Sequence, residues 1–115
     1  MGYPEYDPHM SIREMLDLLG SEQEQLAYEK GVSWVDITNE LVCMWFDDSY
    51  HPDDARFRQA FTAAELEALA SFDSFYEARW RALPTRPGTV RTWLADSTWR
   101  EIMQKAREAL ALLRP

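Results

Sequence analysis

The stretch Asp47-Asp-Ser-Tyr-His-Pro-Asp-Asp54 gathers four carboxylates and an imidazole within eight residues, the densest set of chemistry-bearing side chains in this sequence. Carboxylate oxygens suit calcium, magnesium or manganese, and a histidine adds the nitrogen a transition metal accepts. A metal held here would take Asp47, Asp48, His51 and Asp53 as ligands. The spacing argues against it. A calcium loop of EF-hand type requires a glycine at its sixth position and a glutamate at its twelfth, and this stretch contains no glycine. A di-iron bundle requires Glu-x-x-His pairs on separate helices, and the sequence has none. The preferred reading is a corner: Asp47 and Asp48 end one helix, Asp53 and Asp54 favour the first turn of the next, and His51-Pro52 turns between them. No metal or cofactor is expected.

Covalent and acid–base catalysis find little support. Cys43 sits between Val42 and Met44 in an apolar run, the setting of a buried, inert thiol. The serines lie in no Gly-x-Ser-x-Gly context, and the four glycines are isolated, so neither a nucleophile elbow nor a phosphate loop is present. Asp47 and Asp54 would work as acid and base only if one were desolvated, and adjacent aspartates in a proline loop are solvated. One cysteine and two histidines leave no disulfide and no four-ligand Cys/His zinc site.

The elements that position these residues read as helices. Residues 1–10 carry two prolines and a glycine and are expected to form an extended arm, with Met10 an alternative natural start. Ser11 with Glu14, Ser21 with Glu24, Thr62 with Glu65 and Thr98 with Glu101 are all in capping-box register. Ile12, Met15, Leu16 and Leu19 make one face of a first helix that Gly20 stops, and a surface helix follows from Glu22 to Lys30. Residues 32–46 fit either a strand or a helix; the unbroken pattern predicts a helix from Val35 to Phe46, whose rear face shows Asp36, Glu40, Cys43 and Asp47. Leu66, Leu69, Phe72, Tyr76, Trp80 and Leu83 predict a long helix of about twenty residues, with Phe75 off its apolar arc and packed against another element. Trp99, Ile102, Met103, Ala106, Leu110 and Leu113 predict the last helix. The expected fold is all-α, a bundle of about four to five helices over residues 11–115 with an N-terminal arm.

Charge divides the chain unevenly. Residues 1–54 hold thirteen carboxylates against Arg13 and Lys30, whereas residues 55–115 hold seven against ten bases, within a net charge of −8. Binding to nucleic acid phosphates is disfavoured over most such surfaces. No apolar run is long enough to span a membrane and no signal peptide opens the chain, so a cytoplasmic protein, monomer or homodimer, is expected. Trp45, Trp80, Trp93 and Trp99 fall on core faces. Trp34 and Tyr50 fall off them, beside acids, and Trp and Tyr are residue types that anchor interfaces.

The layout Trp45-Phe-Asp-Asp-Ser-Tyr-His-Pro52, then Phe57, Phe61, Glu65-Leu66, Leu69, Phe72, Leu83-Pro84 and Trp93, Asp96, Trp99, Ala106, Leu110 resembles that of small acidic helical bacterial proteins. Some of these are immunity proteins, which bind and block a toxin. The resemblance implies no catalytic residue. The function expected first is a non-enzymatic domain that presents Asp36, Glu40, Asp47, Asp48, Asp53 and Asp54 to a basic protein, a toxin in the most concrete case, with Tyr50 and Trp34 as anchors. A metal-dependent module built on the 47–54 segment and a structural or oligomeric subunit are the alternatives.

Overall fold

Asp7 sets where the first helix begins. Its carboxylate accepts the Met10 N–H at 3.1 Å, and Pro8 follows at the start of the helix, where a missing N–H costs nothing and φ is already helical. In the computed structural model, which describes residues 6–32, 36–86 and 88–115, helix α1 accordingly runs Pro8–Gly20. The helix thus takes in the last three residues of the expected arm, and Ser11 is a residue of its first turn instead of its cap. Residues 1–5 of that arm lie outside the described residues.

The remaining elements are α2 (Glu22–Gly31), α3 (Ile37–Cys43), a π-helical turn (Met44–Ser49), α4 (Ala55–Gln59), α5 (Ala63–Glu77), a 3₁₀ turn (Trp80–Ala82), α6 (Val90–Leu94) and α7 (Ser97–Ala111). The fold is all-α, and among the described residues there is no strand. The helices beyond the expected five are α4 and α6, five residues each and too short for a 3.6-residue period to register. Thr62 and Glu65 form the reciprocal capping box that the spacing predicts, whereas at α2 only half of the expected box forms, with Ser21 accepting the Glu24 N–H. At α7 the cap is instead Asp96, whose carboxylate takes the Thr98 and Trp99 N–H groups. The long helix stops at Glu77, and Trp80 falls in the separate 3₁₀ turn.

Helix α7 is the axis of the core. Its Trp99, Ile102, Met103 and Ala106 are buried against the Ile12, Met15, Leu16 and Leu19 face of α1, and Leu69, Phe72 and Tyr76 of α5 join the same cluster. Each large side chain so buried contributes about 2 kcal/mol before entropic costs. Gly20 lets α1 and α7 approach: a Cβ there would lie 2.8 Å from the Arg107 Cγ, and the Arg107 guanidinium donates to the Gly20 carbonyl. Phe75 is half-buried under the Arg79 guanidinium at 3.5 Å, with the Lys105 ammonium of α7 at 5.5 Å.

Two buried polar side chains fasten helices together. Gln25 of α2, fully buried, donates to the Leu18 and Leu19 carbonyls at the end of α1 and accepts the Trp99 indole N–H at 3.0 Å. Glu65, 2 % exposed, accepts from the Thr62 N–H, the Arg114 N–H and guanidinium, and meets His9 of α1 at 3.1 Å. Burial alone raises a carboxyl pKa. Here it is outweighed by the Arg114 and Thr62 N–H groups, the Arg114 side chain and His9, which together hold Glu65 far below the usual carboxylate range.

Candidate functional site

The segment Asp36–Asp54 is more ordered than its composition suggests. Helix α3 does not end in a loop at Asp47; it widens into the π-helical turn, closed by the Tyr50 N–H on the Trp45 carbonyl at 3.0 Å. The wider turn brings Trp45 and Tyr50, five residues apart, onto one side, where their rings stack 5.0 Å apart at 11°. Trp45 is fully buried, with its indole N–H on Asp73, and Tyr76 donates to the Leu41 carbonyl where the α-helical ladder gives way. Leu41 to Phe46, the run that also fitted a strand, is therefore helical.

This order reassigns several expected contact residues. Tyr50 is half-buried between Trp45 and Phe57, so most of its ring belongs to the core. Burial, and then the Asp73 carboxylate, push its phenol pKa up. Asp36 caps α3 through the Asn39 N–H and Thr38 hydroxyl, and it lies so close to Gly88 that a Cβ there would sit 2.7 Å from its carboxylate. Asp54 caps α4 through the Arg56 and Phe57 N–H groups. Asp47, Asp48 and Asp53 are exposed and Glu40 is half-buried. Trp34 lies outside the described residues. The alternative metal set does not assemble: among the described residues no three His, Cys, Asp or Glu side chains come together to hold an ion, and the His51 ring turns to the Asp48 carbonyl at 2.9 Å.

Cys43 is half-buried beside the same acids. Burial first, then Asp47 and Glu40, raise its pKa, so less thiolate forms at neutral pH than in a free cysteine. Iodoacetamide at pH 7.5 is expected to label it several-fold more slowly than free cysteine. A rate equal to or above that of the free amino acid would contradict the assigned surroundings.

The larger concavity lies elsewhere. A cleft of about 620 Å³ opens between α1, α2 and the π-helical turn. Its floor is Met15, Leu18, Tyr28 and Met44, and its rim carries Glu14 and Asp17 of α1 and Glu24 of α2, all three exposed. Among the described residues no Arg or Lys lines it. A shallower cleft of about 490 Å³ is lined by Tyr50, His51, Pro52, Asp53 and Asp54, so the neighbours Ser49 and Tyr50 each line one of the two. The three rim acids were not picked out from the sequence, because each reads singly as the solvated face of an amphipathic helix.

Ion pairing keeps the two halves of the chain electrically distinct. Arg81 pairs with Glu77, Lys105 with Glu108 and Arg114 with Glu65, all within the C-terminal half. Arg100–Glu22, at 3.6 Å, is the only Lys or Arg pair among the described residues that crosses to the acidic half. Glu29 accepts the Val90 N–H and so caps α6. Glu14, Asp17, Glu24, Glu40, Asp47, Asp48 and Asp53 have no cationic partner within 4.0 Å among the described residues. Arg58 does reach the 47–54 segment, but it donates to the Pro52 carbonyl.

Comparison with protein-family models, with curated proteins and with solved structures finds no match. None of these comparisons supports the resemblance to small acidic helical bacterial proteins. Among the described residues, no helix is long and apolar enough to cross a membrane.

Proposed function

We propose that this protein is a non-enzymatic, acidic helical domain that binds a basic protein partner. In its most concrete form it is a cytoplasmic inhibitor of immunity type that covers the cationic cleft of a toxin. The observation that carries the reading is the set of seven carboxylates from α1 to Asp53 with no cation within 4.0 Å among the described residues. Carboxylates meant only to neutralise the C-terminal arginines would be paired with them. Left open, they create a negative potential that accelerates encounter with a positive surface and repels other acidic proteins.

The test is affinity capture from the native host, followed by association kinetics with the captured partner. Asp47→Lys, Asp48→Lys and Asp53→Lys are combined, and Asp54 is spared because its loss would uncap α4. The captured partner is expected to be basic, to associate about ten-fold more slowly with the triple variant, and to show a weaker salt dependence. A partner whose association ignores both the reversal and the salt would remove the proposal.

A further inference from the structure

Resting on that reading, we infer that the cleft between α1, α2 and the π-helical turn is the seat for one long cationic side chain, arginine or lysine, projecting from the basic partner. Two properties of the cleft select this occupant. Its floor is two thioether side chains, an alkyl side chain and a phenol ring, a surface that rewards an apolar ligand and adapts to its shape. Its rim is anionic on two sides, Glu14 and Asp17 from one helix and Glu24 from the other, with no cation among the residues that line it. A purely apolar side chain would bury the floor but leave three carboxylates beside it without gain. A small cation would meet the rim but leave the floor wet.

Lysine and arginine combine the two demands, since each lays a methylene stem on apolar surface while its head stays among charges and water. The Tyr28 ring adds a face over which such a head is favoured. A second copy of this chain is a poorer occupant, because a net charge of −8 on each molecule opposes their approach. The cleft also differs from the 47–54 segment in having a floor, so it holds an anchor where the segment only attracts.

The test divides the ligand into its parts. Amide chemical shifts of the isotope-labelled protein are followed at low ionic strength while Nα-acetyl-arginine amide, guanidinium chloride or Nα-acetyl-norleucine amide is added. The capped arginine is expected to give saturable shifts at Met15, Leu18, Tyr28 and Met44 and to bind about ten-fold more tightly than either partial probe, gaining over guanidinium the burial of about two methylenes and over norleucine the attraction of its charge to the rim. Glu14→Gln with Asp17→Gln, two exposed positions whose change leaves folding intact, is expected to weaken it about ten-fold.

Equal binding of the norleucine probe would overturn the inference in favour of an apolar ligand. Shifts centred on residues 47–54 would overturn it while leaving the basic-partner reading in place. Cleft shifts that grow with protein concentration without any probe would assign the cleft to a second copy and overturn it as well. A capped arginine that moves no cleft amide would also overturn it, whereas the existence of a basic partner is decided separately by the capture experiment.

Discussion

Glu65→Gln is expected to lower the unfolding free energy by about 3 kcal/mol, seen as a lower urea midpoint at unchanged slope and a melting temperature reduced by on the order of 10 °C. The substitution keeps the shape of the side chain and removes its charge. Every group around the carboxylate is a donor or a cation: the Thr62 and Arg114 N–H groups, the Arg114 guanidinium and the His9 ring nitrogen. An amide presents one oxygen to them, and its NH₂ faces a donor. Three parts of the chain loosen together, namely the first turn of α1, the start of α5 and the segment after α7.

The pH dependence follows from the same geometry. The folded pKa of Glu65 is depressed, so its stabilisation is fully present above the unfolded glutamate value of about 4.3 and is lost as the pH falls below it toward the folded value. The stability gap between wild type and Glu65→Gln is therefore expected to narrow steadily from pH 5 to pH 2. A gap that stays constant over that range would show that the loss comes from the misplaced amide NH₂ and not from the missing charge.

Glu65 also marks what the sequence reveals and what it hides. The Thr62–Glu65 register announced the start of α5 correctly, because a capping box is a local bargain between residues three apart. The same local rule failed at Ser11 and Thr98, where Asp7 and Asp96 take the cap. A carboxylate before the first turn is the stronger acceptor and adds a favourable interaction with the helix dipole. Nothing local announced that Glu65 would also hold His9 and Arg114, because those contacts depend on how α1, α5 and the chain after α7 pack.

The candidate site was legible in inverse proportion to its sequence range. Four aspartates in eight residues stood out, yet Asp54 is a cap, Asp47 and Asp48 belong to a π-helical turn, and Tyr50 is stacked on Trp45. The π-helical turn itself carries no compositional mark. It accompanies the burial of Trp45, whose indole N–H donates to Asp73 on α5. The acidic cleft joins Glu14, Asp17 and Glu24 across the α1–α2 junction with Met44 from beyond α3. Each rim acid keeps its helix amphipathic and arouses no suspicion alone. What the sequence did show was the −11 against +3 division of charge, and the ion pairs largely preserve it: Arg81, Lys105 and Arg114 pair within their own half, and among the described residues only Arg100 pairs across, with Glu22.

Gln25→Leu is expected to cost about 3 kcal/mol, a large effect for a residue on a helix whose pattern reads as surface. Only Leu26, Ala27 and Tyr28 looked apolar there, yet Leu26 is exposed and the polar Gln25 is fully buried. The exchange keeps the volume but strips the Leu18 and Leu19 carbonyls of a donor and the Trp99 indole N–H of its acceptor, the last two inside the core. Leaving a buried polar group without a partner costs more than making the bond gains, so the loss measures orphaned groups more than a missing contact. Trp99→Phe removes the indole N–H from the other side and leaves the Gln25 oxygen orphaned. In the double variant neither orphan of the Gln25–Trp99 bond remains, so its cost is expected to fall short of the sum of the single variants by about 1–2 kcal/mol. Urea unfolding of the four proteins measures that difference. Additivity within about 0.4 kcal/mol would mean that Gln25 and Trp99 act independently, and that the bond between them does not join α2 to α7 energetically.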